Sequence, residues 1–160
     1  MHAIIDDIQP VNFHAGEQAR RYLDTLTKPP GSLGALETLA IQLSAITGEL
    51  KPSVMPPAVI VFAADHGVAA AGVSAFPQTV TAQMAANFAQ GGAAVNVFAR
   101  QVGARLEIVD VGIIGDERIP GVINAKVRRG TGNMLEADAM LPEQALAAID
   151  AGVQAVERAI

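Results

Sequence analysis

Several side chains able to do chemistry follow the apolar segment Ala58–Ala64. Asp65 and His66 come directly after it, and an acid beside an imidazole can act as a general base, a metal ligand or a hydrogen-bonding pair for a substrate. The alternative is structural, with Asp65 capping backbone amides and His66 ordering the loop. His2 and His14 lie in another segment, and no second ligand has suitable spacing to His66, so the sequence argues against a metal site.

A second group of candidates lies in the next twenty residues. Phe76 and Pro77 form an exposed turn that could face a flat apolar ligand, unless Phe76 packs beneath the loop. Thr81, Gln83 and Met84 fall in the first turns of the following helix, whose amino terminus favours anions. Capping and ordinary surface polarity explain the polar members of this group equally well.

A glycine-containing loop forms the third candidate, with Gly130, Gly132 and Asn133 in the sequence GTGN. Its backbone N–H groups could hold a phosphate or a ribose, although it lacks the six-residue dinucleotide fingerprint. Asp110 ends another apolar segment and either binds a hydroxyl group or caps the next loop. Ligands of open α/β sheets bind beyond the carboxyl ends of the strands, so we expect a site near such loops.

The elements that would position these side chains alternate between strand and helix. Ala58–Ala64 is an uninterrupted apolar run, which is typical of a strand covered on both faces of a parallel sheet. Residues 80–100 form a predicted helix, within which Gly91-Gly92 indicates a kink, a break or a close backbone approach. Leu106–Gly112 is a second strand of the same type. This order predicts a βαβ unit of an α/β fold, with a parallel sheet and flanking helices in a Rossmann-like arrangement.

The carboxyl-terminal third of the chain continues this pattern less strongly. Residues 122–127 form a predicted third strand, and Pro142 suits the first turn of a last helix. The apolar stripe of that helix, interpreted as core or interface, consists of Leu146, Ile149, Val153, Val156 and Ile160. Three strands are few for such a sheet, and a helix that runs to the last residue should lead into another strand. We therefore expect the α/β domain, residues 58–160, to be incomplete.

The first fifty residues predict a different element. Helices over residues 15–27 and 33–47 flank Lys28-Pro29-Pro30-Gly31, which must end the first helix because proline cannot continue it. Ser32 is predicted to cap the start of the second helix and Gly48 its end. The apolar positions at helical spacing in the second helix are Leu33, Leu36, Leu39, Leu43 and Ile46. Residues 1–50 thus predict a helical hairpin.

Composition excludes several classes of protein. Hydrophobic residues make up 51% of the chain and charged residues 17%, which argues against disorder. A net charge of −5 argues against a nucleic-acid surface, and the lack of cysteine excludes disulfides. Met1–Asp7 has no basic region, so it is not a signal peptide, and no apolar run approaches the roughly 20 residues that cross a membrane. The sequence predicts a cytoplasmic enzyme-like domain.

Taken together, three stretches of the chain resemble a known enzyme family. They are LDTLTKPPGSLGALETLAIQLSAITG, then AVIVFAADHGVAAAGVSAFPQTVTAQMAANFAQGGAAVNVFARQVGA, then IPGVINAKVRRGTGNM. The family is that of the nicotinate-nucleotide–dimethylbenzimidazole phosphoribosyltransferases of cobalamin biosynthesis. The resemblance begins near residue 15 and covers about the first half of the family's usual length.

The resemblance implies an activity, a fold and an assembly. Phosphoribose would pass from nicotinate mononucleotide to 5,6-dimethylbenzimidazole, giving α-ribazole phosphate and nicotinate, without a metal or organic cofactor. The family fold is a large α/β domain with a small helical domain, to which the predicted hairpin would belong. The family enzyme is a homodimer, and this chain would need a carboxyl-terminal half to complete it.

The resemblance also implies roles for individual residues. Phe76, Pro77, Gln83 and Met84 would border the flat benzimidazole, and Asp65 and His66 would lie at the mouth of the site. Some family members have serine at the position of Phe76 and glutamine at that of Met84, which would make base recognition here more apolar. Thr81, Gly130, Gly132 and Asn133 would bind substrate from the same side.

No catalytic residue is assigned, because the family's general-base glutamate and its phosphate loop correspond to sequence beyond residue 160. The chain is therefore expected to be an inactive portion of the transferase when alone. The alternative is a non-catalytic module that binds a benzimidazole or a nucleotide. A third hypothesis, a hydrolase that uses Asp65 and His66, lacks an identifiable third group.

Overall fold

The structure, a computed structural model, describes residues 8–160. The chain divides into two compact units between Met55 and Pro56. Met1–Asp7, which was predicted not to be a signal peptide and which contains His2, lies outside the described residues. Assignment of the first unit to a small helical domain remains a prediction.

The first unit contains the two predicted helices with shifted ends. Helix α1 spans Phe13–Asp24 and helix α2 spans Ala35–Thr47. The side-chain oxygen of Asn12 accepts a hydrogen bond from the Ala15 amide at 3.0 Å, so α1 begins earlier than predicted. Gly48 ends α2 in the left-handed conformation with φ +75°, which confirms the predicted cap.

The prediction that Ser32 caps the second helix is wrong. The Ser32 amide donates to the Pro29 carbonyl at 3.1 Å in a turn, and Gly34 is the residue that precedes the helix. Gly34 has a φ of +56°, which lies outside the helical region, so the helix begins only at Ala35. For Ser32 to act as the cap, Leu33 and Gly34 would both have to be helical.

An ion pair closes this turn. The Lys28 Nζ atom lies 2.8 Å from Glu37 Oε1, which also accepts a hydrogen bond from the Leu33 amide at 3.1 Å. The hydrogen bond from Lys28, followed by that from Leu33, holds the pKa of Glu37 below its ordinary value. The charge of Glu37 in the first turn of α2 thus links the end of one helix to the start of the next.

Small residues mediate the contact between α1 and α2. Ala15, Ala19 and Ser44 are buried, and a Cβ added at Gly16 would lie 3.2 Å from the Ala45 side chain. The larger apolar residues of the predicted stripe are instead exposed to solvent in the described chain: Leu33, Leu36, Leu39, Leu43 and Ile46.

The second unit is built on a three-stranded parallel sheet, as the sequence predicts. Strands β1 (Ala58–Ala64), β2 (Arg105–Gly112) and β3 (Ile123–Asn124) lie in the order β1-β2-β3. Strand β3 is shorter than the predicted 122–127, because only two of its residues pair in register with β2. Because both strand pairs are parallel, the carboxyl ends of all three strands lie at the same end of the sheet.

Three helices accompany the sheet. They are α3 (Thr79–Gln90), α4 (Ala94–Gln101) and α5 (Pro142–Ala159). Of the three alternatives predicted for Gly91-Gly92, the structure shows a helix break, because Gly91 adopts φ +84° and ends α3. Asn96 then joins the two pieces, accepting a bond from the Ala93 amide at 3.1 Å and donating to the Phe88 carbonyl at 2.8 Å.

The core lies around β2 rather than β1. Val109 and Ile108 are buried, whereas Phe62 in the middle of β1 is 46% exposed. The expectation that β1 is covered on both faces is therefore wrong for the described residues. Of the two interpretations of the α5 stripe, core is wrong here, because Leu146, Ile149 and Val156 are about half exposed, and interface remains a prediction.

Among the described residues there is neither a membrane-crossing helix nor a cluster suited to a metal ion. Between residues 8 and 160, no helix combines the length and the apolar character needed to cross a bilayer. Over the same range, no three acidic or histidine side chains gather closely enough to hold a metal ion.

Candidate functional site

A cavity of about 470 Å³ lies at the carboxyl end of β1. Its walls come from the end of β1, from the 3₁₀ turn Gly67–Ala71 and its following loop, and from the first turns of α3. The lining residues are Ala64, Asp65, His66, Val68, Ala69, Val73, Ser74, Phe76, Pro77, Gln78, Val80, Thr81 and Met84. Six of the ten residues predicted for the site are therefore brought together here.

The Asp65 carboxylate connects the segments around the cavity by hydrogen bonds. Its carboxylate is buried and accepts hydrogen bonds from the Thr81 hydroxyl at 2.6 Å and from the Ile114 amide at 2.8 Å. These bonds join the end of β1 to α3 and to the loop after β2. Because each carboxylate oxygen already has a protein donor, the geometry favours the structural alternative over a general base.

His66 lies next to this anchor and is exposed. Its carbonyl accepts hydrogen bonds from the Gln78 side chain at 2.9 Å and from the Ala69 amide at 3.0 Å. The backbone of His66 thus orders the loop, while its side chain lines the cavity. Gln78 was not among the predicted site residues.

The rim of the cavity presents apolar groups to solvent. Phe76 is 69% exposed, so the alternative in which it packs beneath the loop is wrong. Ser74 fixes the turn that bears it, since the Ser74 hydroxyl donates to the Phe76 carbonyl at 2.9 Å and accepts from the Phe76 amide at 3.3 Å. With Pro77 and Met84 nearby in the lining, this rim offers a flat apolar ligand a surface to contact.

The GTGN loop packs against Gly67. The Gly67 amide donates to the Thr131 hydroxyl at 3.2 Å, and the Thr131 amide donates to the Asp65 carbonyl at 3.0 Å. A Cβ at Gly67 would lie 2.6 Å from the Gly132 carbonyl carbon, so only glycine permits this approach. The loop thereby supports the Asp65 segment.

Four predicted site residues are not part of the cavity lining: Gln83, Gly130, Gly132 and Asn133. Gln83 is exposed on α3, one position before Met84. Their contacts with substrate remain predictions.

Asp110 takes the capping role that the sequence left open. Its Oδ1 atom accepts from the amides of Gly112 at 3.0 Å and Ile113 at 2.8 Å. Its Oδ2 atom lies 3.2 Å from Lys126 Nζ. The carboxylate therefore shapes the loop after β2, whose Ile114 amide reaches Asp65.

Sequence reasoning expected a site at the loop after β1 but did not single out Val68, Ala69 or Val73. Val68, Ala69 and Val73 line the cavity because Gly67–Ala71 forms a 3₁₀ turn, where an irregular loop was predicted. Gly72, with φ +78°, ends this turn and was the one available sequence signal.

Comparisons with known proteins identify the family of the chain. A family model described as "Phosphoribosyltransferase" matches residues 8–160. The chain belongs to the nicotinate-nucleotide–dimethylbenzimidazole phosphoribosyltransferase family.

Relatives carrying that name include one from Halalkalibacterium halodurans, 49% identical over 98% of this chain and 44% of its own length. Another, from Cupriavidus taiwanensis, is 55% identical over 85% of this chain and 40% of its own length. A crystal structure of CobT from Thermus thermophilus superimposes with a TM-score of 0.86 at 48% identity, covering 91% of this chain and 44% of that one. The chain thus spans less than half the length of these relatives and corresponds to their amino-terminal half.

Proposed function

We propose that the chain forms the aromatic-base subsite of a phosphoribosyltransferase that acts on nicotinate mononucleotide and 5,6-dimethylbenzimidazole. The cavity at the end of β1 carries this proposal. Its volume of about 470 Å³ suits a small organic ligand, and it combines an apolar rim with a few fixed polar groups. The names of the relatives supply the choice of substrates.

In the proposed reaction a ring nitrogen of dimethylbenzimidazole attacks the anomeric carbon of the nucleotide ribose. Nicotinate leaves with the electrons of the glycosidic bond, and the configuration at that carbon inverts. The products are α-ribazole phosphate and nicotinate. A base must remove the proton from the attacking heterocycle, and we assign that role to a group outside this chain.

The contribution of this chain is to hold the acceptor. Phe76 and Met84 would contact the faces of the benzimidazole, whose planar shape suits aromatic and thioether partners. Asp65 would position Thr81 and the adjoining loop through its two hydrogen bonds. The lining contains no glutamate, and its one carboxylate is already paired, which favours binding without catalysis when the chain is alone.

Calorimetric titration of the purified chain with dimethylbenzimidazole tests this assignment. Phe76→Ala should weaken binding about tenfold, since a tenfold change corresponds to about 1.4 kcal/mol and aromatic contacts are of that order. Phe98→Ala is the matched control, because Phe98 is 66% exposed on α4 and does not line the cavity. Absence of binding by the folded chain, or equal weakening by the two variants, would contradict the proposal.

Turnover of nicotinate mononucleotide tests the assignment of the base to a group outside this chain. The isolated chain should bind dimethylbenzimidazole but should not consume nicotinate mononucleotide. Release of nicotinate by the chain alone would show that its own residues supply the base. The homodimeric assembly implied by the family resemblance and the cytoplasmic location predicted from the sequence remain predictions.

A further inference from the structure

The loop after β2 is held by side chains rather than by backbone pairing. Between Ala63 and Ala64 the register with β2 shifts by one residue, so Val111 has no partner on β1. Such a bulge interrupts regular pairing and bends the strand. Beyond it, residues 113–115 make no backbone–backbone hydrogen bond within the described chain. The position of this loop therefore depends on the side chains that bind it.

Three side chains bind the loop, one at each of its residues. The amides of its first two residues donate to the carboxylates of Asp110 and Asp65, each at 2.8 Å. The carbonyl of its third residue, Gly115, accepts a hydrogen bond from Lys126 Nζ at 2.6 Å. The two aspartates lie at the carboxyl ends of β2 and β1, and Lys126 lies two residues after β3. All three strands thus contribute to holding the loop.

Lys126 is the only cation among these three side chains, and it is largely buried. Its side chain is 16% exposed, and its Nζ atom lies 3.2 Å from Oδ2 of Asp110, whose side chain is 7% exposed. An ammonium group is strongly hydrated in water and is seldom buried without a partner. Lys126 therefore has two functions here, since it balances the charge of Asp110 and fixes the Gly115 carbonyl.

The loop is connected to the cavity through Asp65. One oxygen of this carboxylate accepts from the Ile114 amide, and the other accepts from the Thr81 hydroxyl at 2.6 Å. Thr81 lines the cavity, whereas Lys126 does not. Displacement of the loop would remove one donor from a buried carboxylate, which would turn to recover a hydrogen bond and would disturb Thr81. A change at Lys126 can therefore alter a wall of the cavity from a distance.

We propose that Lys126 is a positioning residue for the cavity that binds the acceptor base. Lys126 fixes the loop, the loop amide keeps Asp65 turned towards Thr81, and Thr81 fixes the first turns of α3 at the cavity wall. This proposal rests on the proposed function, because dimethylbenzimidazole is taken as the ligand. It adds a residue that neither contacts the cavity nor lies near its lining residues in sequence.

Calorimetric titration with dimethylbenzimidazole tests the proposal, at a temperature where circular dichroism shows each variant fully folded. Lys126→Met keeps a long apolar side chain but removes the ammonium, and it should weaken binding about tenfold. Lys126→Arg restores a cation that can donate to both partners, so its affinity should lie within about threefold of that of the unmodified chain. Arg129→Met is the matched control, because it removes a cation from an exposed ion pair with Asp116, and it should change affinity less than about twofold.

Two double variants separate positioning from a general loss of stability. In a Thr81→Val background, Lys126→Met should change affinity less than about twofold, because the path to the cavity is already broken. Asp110→Asn combined with Lys126→Met leaves no unpaired carboxylate, which preserves the fold if Lys126→Met alone unfolds. This second pair should still weaken binding about tenfold, because the Gly115 carbonyl lacks its donor. Recovery of full affinity would show that Lys126 only balances charge and would overturn the proposal.

Hydrogen exchange of the ligand-free chain provides a readout that does not depend on the proposed substrate. Lys126→Met should speed exchange of the Ile114 amide at least about tenfold, while Arg129→Met should leave it within about threefold. The proposal is overturned if this exchange is unchanged, if Lys126→Met binds as tightly as Arg129→Met, or if its effect persists in full in the Thr81→Val background. Lack of any binding by the unmodified chain would instead overturn the proposed function, and exchange at Ile114 would still support or refute the control of the loop by Lys126.

Discussion

Because the GTGN loop approaches Gly67 closely, we expect a single methyl group added at Gly67 to destabilise the fold. In Gly67→Ala the Cβ would lie 2.6 Å from the Gly132 carbonyl carbon and 2.7 Å from both the Asn133 nitrogen and the Thr131 oxygen. Ordinary contacts of a Cβ begin at 3.4 Å, so these atoms would have to retreat by about 0.7–0.8 Å. All three belong to the backbone and cannot rotate away as a flexible side chain would.

The expected cost follows from what the retreat would disturb. Overpacking of this kind costs about 1–3 kcal/mol, and the upper part of that range applies because backbone must shift. The movement would also stretch the hydrogen bonds that Thr131 makes with Gly67 and Asp65. For a unit of about 100 residues, such as Pro56–Ile160, each kcal/mol lowers the melting temperature by about 4–8 °C, so a loss of about 2–3 kcal/mol predicts a drop of roughly 8–24 °C.

The assay is thermal and urea unfolding monitored by circular dichroism, with Gly152→Ala as the matched control. Gly152 lies within α5, and an added Cβ there would meet nothing within 4 Å. The same chemical change should therefore stabilise the helix by about 0.4–1 kcal/mol. A Gly67→Ala variant that melts within 2 °C or so of the unmodified chain would refute the packing argument.

Two other predictions concern polar anchors. Thr81→Val should cost about 1–3 kcal/mol in urea unfolding, because it leaves the buried Asp65 carboxylate with one donor fewer, whereas Thr79→Val at the exposed start of α3 should change stability by less than 0.5 kcal/mol or so. Equal effects of the two variants would show that the Thr81–Asp65 bond is unimportant. Glu37→Gln should lower the melting temperature near neutral pH, and the difference from the unmodified chain should vanish as the pH falls. The sign follows from the lowered pKa of Glu37: the unfolded chain binds the proton more readily, so the ion pair stabilises above the ordinary glutamate pKa and is lost as pH falls through the folded value. A difference in melting temperature that is the same at pH 7 and pH 3 would contradict this reasoning.

The family and the order of elements could be predicted from the sequence because they depend on local patterns. The apolar run Ala58–Ala64 and the helical spacing after Pro142 are detectable within single segments. The long motifs around Pro29-Pro30 and Asp65 identify the family. Phe76 and Pro77 were candidates from the turn that they form, and the family motifs favoured the site over the alternative in which Phe76 packs beneath the loop.

Tertiary structure decided the features that depend on distant parts of the chain. Asp65 was ambiguous until its partners Thr81 and Ile114 were known, because they lie 16 and 49 residues away in sequence. The requirement for glycine at position 67 arises from a loop more than sixty residues later. The prediction that β1 is covered on both faces was wrong for the same reason. An apolar run shows that a strand can be buried, but the elements packed against the strand determine whether it is.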